Sequence, residues 1–308
     1  MSTVRWGLVL GCGGAWSIAA LASLQEQLAW DPRDAEFIVG TSAGAVLAAL
    51  LGGGVSVDRL LACQRNETDT DCEWNHDTDT GGALPPRPGF APTGARLAWH
   101  GLRGRTSMLT ALCGLAPRGR FDMTPFRRLI DGVATPGQWS AHPGVRIMAV
   151  DTGTSARTAF GAPDAPPAAL NDAVCASYGV PGWCPPVVIG GRSYIDGGVA
   201  SPTSADRLVD TDLDEVVVLA PMASRQPDTP RSPPAKVERR VRRTMTAIVD
   251  REVAALAATG KRVIRLEPGA EDLQAIGFNM MDPARRRRVL ETALHTTPRA
   301  VSAALRPQ

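Results

Sequence analysis

The stretch that most constrains the fold runs from Phe37 to Leu50 and contains the pattern G-x-S-x-G. Apolar residues rich in β-branching at 37–39 predict a buried strand, and the Ala/Leu-rich residues 45–50 predict a helix. The run Gly40-Thr41-Ser42-Ala43-Gly44 fills the turn between them. A serine on such a sharp turn leaves no room for a side chain two residues before or after it, which explains the two glycines. The pattern therefore predicts a strand, an elbow with Ser42 at its tip, and a helix.

Ser42 has the position of a nucleophile in this unit. The turn lifts its hydroxyl to the N-terminus of the following helix, where the dipole and free N–H groups, Ala43 first, stabilise an oxyanion. The same string also occurs in proteins as a plain turn without chemistry. The strand before it and the helix after it favour the nucleophile interpretation.

The N-terminal segment shows the same alternation. Trp6–Leu10 is a short uncharged apolar run, typical of a strand that is buried on both faces. The glycine turn Gly11-Cys12-Gly13-Gly14 follows, and residues 15–29 predict a helix with leucines on one face. Strand, glycine turn, helix, strand, elbow and helix form the beginning of an α/β fold with right-handed crossovers.

Two functions are open for the glycine turn, besides that of a plain connection. A dinucleotide fingerprint, G-x-G-x-x-G, matches at Gly11 and Gly13 but has Trp16 in place of the third glycine, where its bulk blocks close helix packing. The alternative is a row of backbone N–H groups aimed at an anionic oxygen beside Ser42. The sequence favours this second function, so no nucleotide cofactor is expected.

A serine hydroxyl needs a base within hydrogen-bonding distance to act as a nucleophile. Histidines occur at positions 76, 100, 142 and 295, and only His295 is late enough in the chain for the triad of an α/β-hydrolase. It lies in a predicted helix and not in a loop. Asp196 is a better candidate, because Tyr194 and Ile195 precede it and Gly197-Gly198 follow it at the end of a predicted β-hairpin. Taken alone, Asp-Gly-Gly is more often a simple turn.

Together these motifs resemble those of the patatin-like phospholipases. That family has a glycine-rich oxyanion loop after the first strand, a G-x-S-x-G elbow and a D-G-[GA] aspartate. Here they occur in the same order at residues 11–14, 40–44 and 196–198. Residues 176–187, ASYGVPGWCPPV, are similar to the family's A-S-x-A-x-P-x-x-F-P-P-V segment. The resemblance covers residues 5–220 and implies a three-layer α/β/α sandwich with a mostly parallel sheet.

The resemblance also implies a mechanism. Ser42 and Asp196 are expected to form a catalytic dyad, with the N–H groups of Gly13, Gly14 and Ala43 as the oxyanion hole. The implied substrate is a lipid or another acyl ester, hydrolysed through an acyl-enzyme without metal or cofactor.

The glycine turn departs from the family pattern. Cys12 replaces a glycine of the shorter family form. The turn is about four residues shorter than the longer form, and losing one oxyanion donor typically lowers the rate about 10²–10³-fold. This leaves a second hypothesis, a catalytically impaired member that binds a lipid or a protein.

The composition sets further expectations. With 308 residues, we expect a single α/β domain over residues 1–308. A net charge of +2 and few aromatic residues give no indication of a nucleic-acid partner.

The six cysteines form no C-x-x-C pair, which predicts a reduced cytoplasmic protein, with a Cys63–Cys72 disulfide as the alternative. The apolar residues 6–24 also resemble a signal peptide, but the glycine turn interrupts them. The sequence does not predict an oligomeric state.

Four segments lie outside the core pattern. Residues 64–120 predict a cap that shapes an acyl slot, beginning with an acidic, Pro/Gly-rich loop at 64–94 that resembles a calcium loop only distantly. Residues 95–115 have no acidic residue and predict a helical hairpin or an amphipathic helix on a membrane. Residues 225–236 predict a Pro/Arg-rich linker, and 237–308 a C-terminal helical extension that contains a late strand at 262–266 and a last helix at 283–294. Its two arginine runs are either solvated helix faces or peripheral contacts to an anionic membrane.

Overall fold

The computed structural model describes residues 4–66, 84–87, 89, 91–104 and 106–306. The strands are β1 (Trp6–Leu10), β2 (Phe37–Thr41), β3 (Val145–Asp151), β4 (Arg157–Phe160), β5 (Val187–Ile189), β6 (Arg192–Asp196), β7 (Glu215–Leu219) and β8 (Arg262–Leu266). The helices are α1 (Ala15–Leu28), α2 (Ala43–Gly52), α3 (Val57–Arg65), α4 (Ala95–Leu102), α5 (Met108–Leu115), α6 (Thr124–Asp131), α7 (Leu170–Ser177), α8 (Pro233–Ala258), α9 (Ala270–Ile276) and α10 (Arg286–Ala304).

The strands form one mostly parallel sheet with the order β5-β6-β3-β2-β1-β7-β8, and β4 also pairs with β3. Five consecutive strands of this order, β3-β2-β1-β7-β8, run parallel to one another. Strands β4, β5 and β6 join antiparallel at one side. The predicted α/β class with a mostly parallel central sheet is therefore confirmed.

Helices cover both faces of this sheet. Alternate residues of a strand point to opposite faces, and here Leu8 and Leu10 pack in one core with side chains of α1, α2, α7 and α10. Val9 and Val39 pack in a second core with side chains of α8. The chain thus has helices, sheet and helix in three layers.

Both long C-terminal helices differ in their bounds from the prediction. Helix α8 begins at Pro233 and not at 237, because proline is well tolerated in the first turn of a helix. Residues 225–236 are therefore a linker only up to 232. Strand β8 has the predicted bounds and pairs with β7 in parallel. Helix α10 continues through Pro298, where the hydroxyls of Thr297 and of Ser23 on α1 form a buried 2.7 Å hydrogen bond.

The basic run at the start of α8 is not a solvated face throughout. Arg239 and Arg242 are only 4% and 1% exposed. They pair with Asp228 and Glu238, and Arg242 also donates a 2.6 Å hydrogen bond to the carbonyl of Pro221. A buried guanidinium is tolerated when it is paired in this way. These two arginines therefore hold α8 to the body of the protein and are not available to lipid headgroups.

The region between α3 and α6 contains the predicted helical hairpin. Residues 95–115 form the helical hairpin α4–α5, in which a Cβ on Gly101 would lie 2.2 Å from Cβ of Ala111. Most of the acidic loop predicted at 64–94, with Cys72 and His76, lies outside the described residues. Among the helices that the structure describes, none has both the length and the apolar character of a membrane span.

A buried carboxylate on α8 holds the segment that follows β6. Glu252 accepts hydrogen bonds from the hydroxyls of Ser201 (2.6 Å) and Thr203 (2.5 Å) and from the N–H of Ala205 (3.0 Å). Its carboxylate also pairs with Arg157 at 3.4 Å. One side chain therefore fixes the residues 201–205.

Residues 201–205 in turn contact the ends of two other strands. The N–H of Cys12, just after β1, donates to the carbonyl of Pro202 at 3.1 Å. The hydroxyl of Thr41, at the end of β2, donates to the carbonyl of Thr203 at 3.4 Å. Glu252 thus holds together the C-terminal ends of β1, β2 and β6.

We expect Glu252→Ala to lower the free energy of unfolding by about 3 kcal/mol, because it leaves buried donors without an acceptor and Arg157 without one partner. Glu252→Gln, which retains an acceptor oxygen, is expected to lose less. Denaturant unfolding followed by circular dichroism measures the effect. Glu291→Ala, at an exposed position of α10, is the matched control. Equal losses in Glu252→Ala and Glu291→Ala would contradict this account.

Candidate active site

The turn between β2 and α2 is a strained elbow with Ser42 at its tip. Ser42 has φ 58° and ψ −124°, a backbone conformation that residues with a side chain rarely adopt. A Cβ on Gly40 would lie 2.5 Å from the carbonyl oxygen of Gly44, and a Cβ on Gly44 would lie 2.0 Å from that of Leu10. Both glycines of the predicted pattern are therefore required by close contacts, and the elbow packs directly against the end of β1.

Ser177, at the end of α7, fastens this elbow to the sheet. The N–H of Ser42 donates to Oγ of Ser177 at 2.9 Å, and that hydroxyl donates to the carbonyl of Met148 on β3 at 2.6 Å. Ser177 is completely buried. Ser177 has no predicted role, although it lies in the segment 176–187 that carries part of the resemblance. A polar residue that ends a mostly apolar helix was the available signal.

Asp196, at the end of β6, lies against Ser42. The Ser42 hydroxyl donates to Oδ2 of Asp196 at 2.7 Å, and the N–H of Gly198 donates to Oδ1 at 2.7 Å. The predicted β5–β6 hairpin places Asp196 here, with a turn at Gly190 and Gly191. A Cβ on Gly198 would lie 2.6 Å from the sulfur of Cys12, so a larger residue does not fit beside the carboxylate.

Burial raises the pKa of Asp196 to about 6. The hydrogen bonds from Ser42 and Gly198 lower the pKa, because they favour the carboxylate, but desolvation is the larger effect. Among the described residues, no cationic side chain contacts this carboxylate. It is therefore ionised near neutral pH and more basic than an exposed aspartate, as a general base must be.

Cys12 lies beside this pair, in the glycine turn. Its sulfur is 3.5 Å from the carbonyl oxygen of Pro202. Burial, together with the nearby Asp196 carboxylate, raises the pKa of the Cys12 thiol well above its ordinary value. Because the thiolate is the reactive form of cysteine, the neutral thiol does not compete with Ser42 as a nucleophile.

The glycine turn brings backbone N–H groups to the cavity that contains Ser42. Gly13, Gly14 and Ala43 all line this cavity. Within the described part of the chain, no group accepts a hydrogen bond from the N–H of Gly13 or Gly14. The N–H of Ala43 belongs to the first turn of α2, where it has no intrahelical partner. Since α1 also begins here, two helix N-termini favour negative charge at this point.

The cavity has a volume of about 1600 Å³, and Ser42 and Asp196 form part of its wall. Its other walls are mainly apolar and include residues of α1, α2, α3, α5, α6, α8 and the segment 276–289. The predicted cap thus contributes α5, whereas the contributions of α6 and of residues 276–289 were not predicted. An apolar cavity that opens beside a buried hydroxyl–carboxylate pair suits an acyl chain.

The other chemistries considered from the sequence receive no support from the structure. Among the described histidines, His100, His142 and His295 do not line the cavity. Trp16, at the third position of the dinucleotide pattern, lies in the first turn of α1 and is buried in the core. In the described ranges, no three His, Cys, Asp or Glu side chains are grouped as metal ligands. The Ser42–Asp196 pair is therefore the strongest catalytic candidate in the described part of the chain.

Comparisons with known proteins identify the family of this chain. Among solved structures, VipD from Legionella pneumophila is similar, with 13% sequence identity and a TM-score of 0.44, over 98% of this chain and 67% of VipD. No curated protein matches the sequence. A family model described as patatin-like phospholipase matches residues 8–209, which include the glycine turn, the elbow and Asp196. Because this match covers well over half of the chain, the protein belongs to the patatin-like phospholipase family.

Proposed function

We propose that this protein is a serine lipid acyl hydrolase of the phospholipase A type, with Ser42 and Asp196 as its catalytic dyad. Membership of the family supports lipid acyl hydrolysis in general. The finer assignment rests on one observation, the 2.7 Å hydrogen bond from the Ser42 hydroxyl to a buried carboxylate on the wall of an apolar cavity.

In the first half of the proposed reaction, Oγ of Ser42 attacks the ester carbonyl while its proton passes to Oδ2 of Asp196. The tetrahedral intermediate carries a negative charge on the former carbonyl oxygen. The N–H groups of Gly13, Gly14 and Ala43 are proposed to bind this oxygen, since they line the cavity near two helix N-termini. The intermediate then collapses, the alcohol leaves with the proton from Asp196, and the acyl group stays on Ser42.

In the second half, water replaces the alcohol. Asp196 takes a proton from the water as it attacks the acyl carbonyl, and the same N–H groups bind the oxyanion again. When this intermediate collapses, Oγ of Ser42 regains the proton and the fatty acid is released. One carboxylate thus acts in turn as base and acid in both halves.

The cavity supports a lipid substrate. Its apolar walls accept an acyl chain, and its volume of about 1600 Å³ leaves space for more than the reacting ester. We propose a lipid or another acyl ester as the substrate, and a cytoplasmic enzyme that contacts the membrane peripherally.

A second candidate function is the binding of a lipid or a protein without hydrolysis. The shortened glycine turn favours it, because only Gly13 and Gly14 of this turn offer N–H groups without an acceptor in the described part of the chain. Hydrolysis measurements on matched variants distinguish the two candidates.

We expect Ser42→Ala to lower ester hydrolysis by at least about 10³-fold, because it removes the nucleophile. Asp196→Asn is expected to lower it by about 10²–10⁴-fold, because an amide cannot accept the proton of Ser42. The rates are measured with p-nitrophenyl butyrate and, by fatty-acid release, with dispersed phosphatidylglycerol.

The controls are Ser302→Ala and Asp164→Asn, which replace exposed residues of the same types. Asp196→Asn is expected to remain folded. The raised pKa of Asp196 means that its ionisation opposes folding as the pH rises from about 4 to 6, and the amide removes this effect. Hydrolysis by folded Ser42→Ala at the wild-type rate would exclude the dyad.

The pH profile is a separate prediction. Asp196 must be a carboxylate to accept a proton, and its pKa is raised to about 6. We therefore expect kcat/KM to fall about tenfold per pH unit below about pH 6 and to level off above it. The profile is measured with p-nitrophenyl butyrate, and circular dichroism verifies that the protein is folded at each pH. A profile without an inflection between about pH 5 and 7 in folded protein would contradict Asp196 as the base.

A further inference from the structure

The α4–α5 hairpin (residues 95–115) exposes an unusual amount of apolar surface. Its large apolar side chains at the surface are 52–81% exposed. They are Trp99, Leu102, Met108, Leu112 and Leu115. Scattered exposed apolar residues need no explanation, but a concentration on one short element marks an interaction surface.

The hairpin is attached to the body of the protein, so detachment does not explain this exposure. Leu97 is completely buried, and the hydroxyl of Thr110 donates to the carbonyl of Val199 at 2.7 Å. Leu97 belongs to one buried cluster with Val150 on β3 and Ile195 on β6. One side of the hairpin is therefore packed against the body close to Asp196, and the exposed apolar side chains are held in place on the other.

The charged side chains in and around the hairpin are all positive. The sequence from Ala83 to Phe121 contains arginines and no aspartate or glutamate. Arg96, Arg103, Arg118 and Arg120 are exposed, and none has an acidic partner among the residues that the structure describes. The guanidinium of Arg103 lies 4.5 Å from the ring centroid of Trp99. Apolar and aromatic side chains together with unpaired arginines fit the boundary between anionic headgroups and acyl chains.

The exposed surface is continuous with the cavity. Leu112 is exposed and also lines the cavity that contains Ser42. Met280, from the C-terminal region, has the same two properties. An acyl chain that leaves a bilayer at this surface can therefore reach Ser42 along apolar walls.

We propose that the α4–α5 hairpin docks this protein on an anionic phospholipid bilayer and so delivers lipid to the cavity. Trp99, Leu102 and Met108 enter the headgroup–acyl boundary, while Arg96 and Arg103 contact anionic headgroups. This inference rests on the proposed function for the use of the lipid, but the docking itself does not require hydrolysis. A bilayer fits better than an acidic protein, because the exposed apolar side chains lie beside exposed arginines and Leu112 connects this surface to the acyl cavity.

The test is co-sedimentation of the full chain with vesicles of phosphatidylglycerol and phosphatidylcholine, compared with vesicles of phosphatidylcholine alone. All proteins carry Ser42→Ala so that the vesicles stay intact. We expect binding to the mixed vesicles. Leu102→Ser/Met108→Ser is expected to partition at least tenfold more weakly, because it removes two apolar side chains that the bilayer would bury. Arg96→Gln/Arg103→Gln is expected to lose most of the preference for phosphatidylglycerol, about fivefold per arginine.

The control is Val188→Ser, which changes an exposed apolar residue on β5, away from the hairpin. It is expected to bind as the parent does, and circular dichroism verifies that every variant is folded. Equal partition of the parent and Leu102→Ser/Met108→Ser overturns the docking proposal, and so does a parent that binds neither kind of vesicle. Absence of ester hydrolysis by the wild type overturns the proposed function instead, so the two failures are distinguishable.

Discussion

The hydrogen bond between Ser42 and Asp196 joins residues from the ends of β2 and β6, which lie on either side of β3 in the sheet. The carboxylate is buried, and in the described part of the chain no cation offsets its charge. Its ionised form therefore depends on two donors, the hydroxyl of Ser42 and the N–H of Gly198. A buried charge that loses a donor incurs a large desolvation penalty, so the positions of the elbow and of residues 196–198 must be fixed closely.

The fold provides three supports for this geometry. Gly44 lets the elbow touch the end of β1, and Ser177 connects the N–H of Ser42 to β3. Glu252 reaches across from α8 to the residues after Asp196. The strained conformation of Ser42 opposes folding by about 1–3 kcal/mol, and such strain persists only where the surroundings impose it. Packing and hydrogen bonds far from the cavity thus keep the nucleophile in an unfavourable but useful conformation.

Local patterns were enough to predict the part of the site that depends on short stretches of sequence. The elbow at 40–44 and the hairpin before Asp196 follow from β-branching, glycine and turn chemistry, and the structure contains both. The pairing of Ser42 with Asp196 needed the order of motifs in a family, because nothing local to either residue points to the other.

The features that were not predicted depend on distant contacts. The role of Ser177 requires β3, and that of Glu252 requires the segment 201–205. Arg239 and Arg242 look like a solvated basic face in the sequence, but Asp228 and Glu238 pair with them inside the protein. Residues 276–289 form a wall of the cavity although they are far from the elbow in sequence, so no local pattern indicates their position.

The central claim is that Ser42 is a nucleophile which Asp196 activates. Its most direct test is reaction of the purified protein with a fluorophosphonate, followed by peptide mass spectrometry to locate the adduct. The account predicts one adduct, on Ser42, that forms far more slowly in Asp196→Asn. Folded wild-type protein without an adduct on Ser42, or with the same labelling rate in Asp196→Asn, would contradict it.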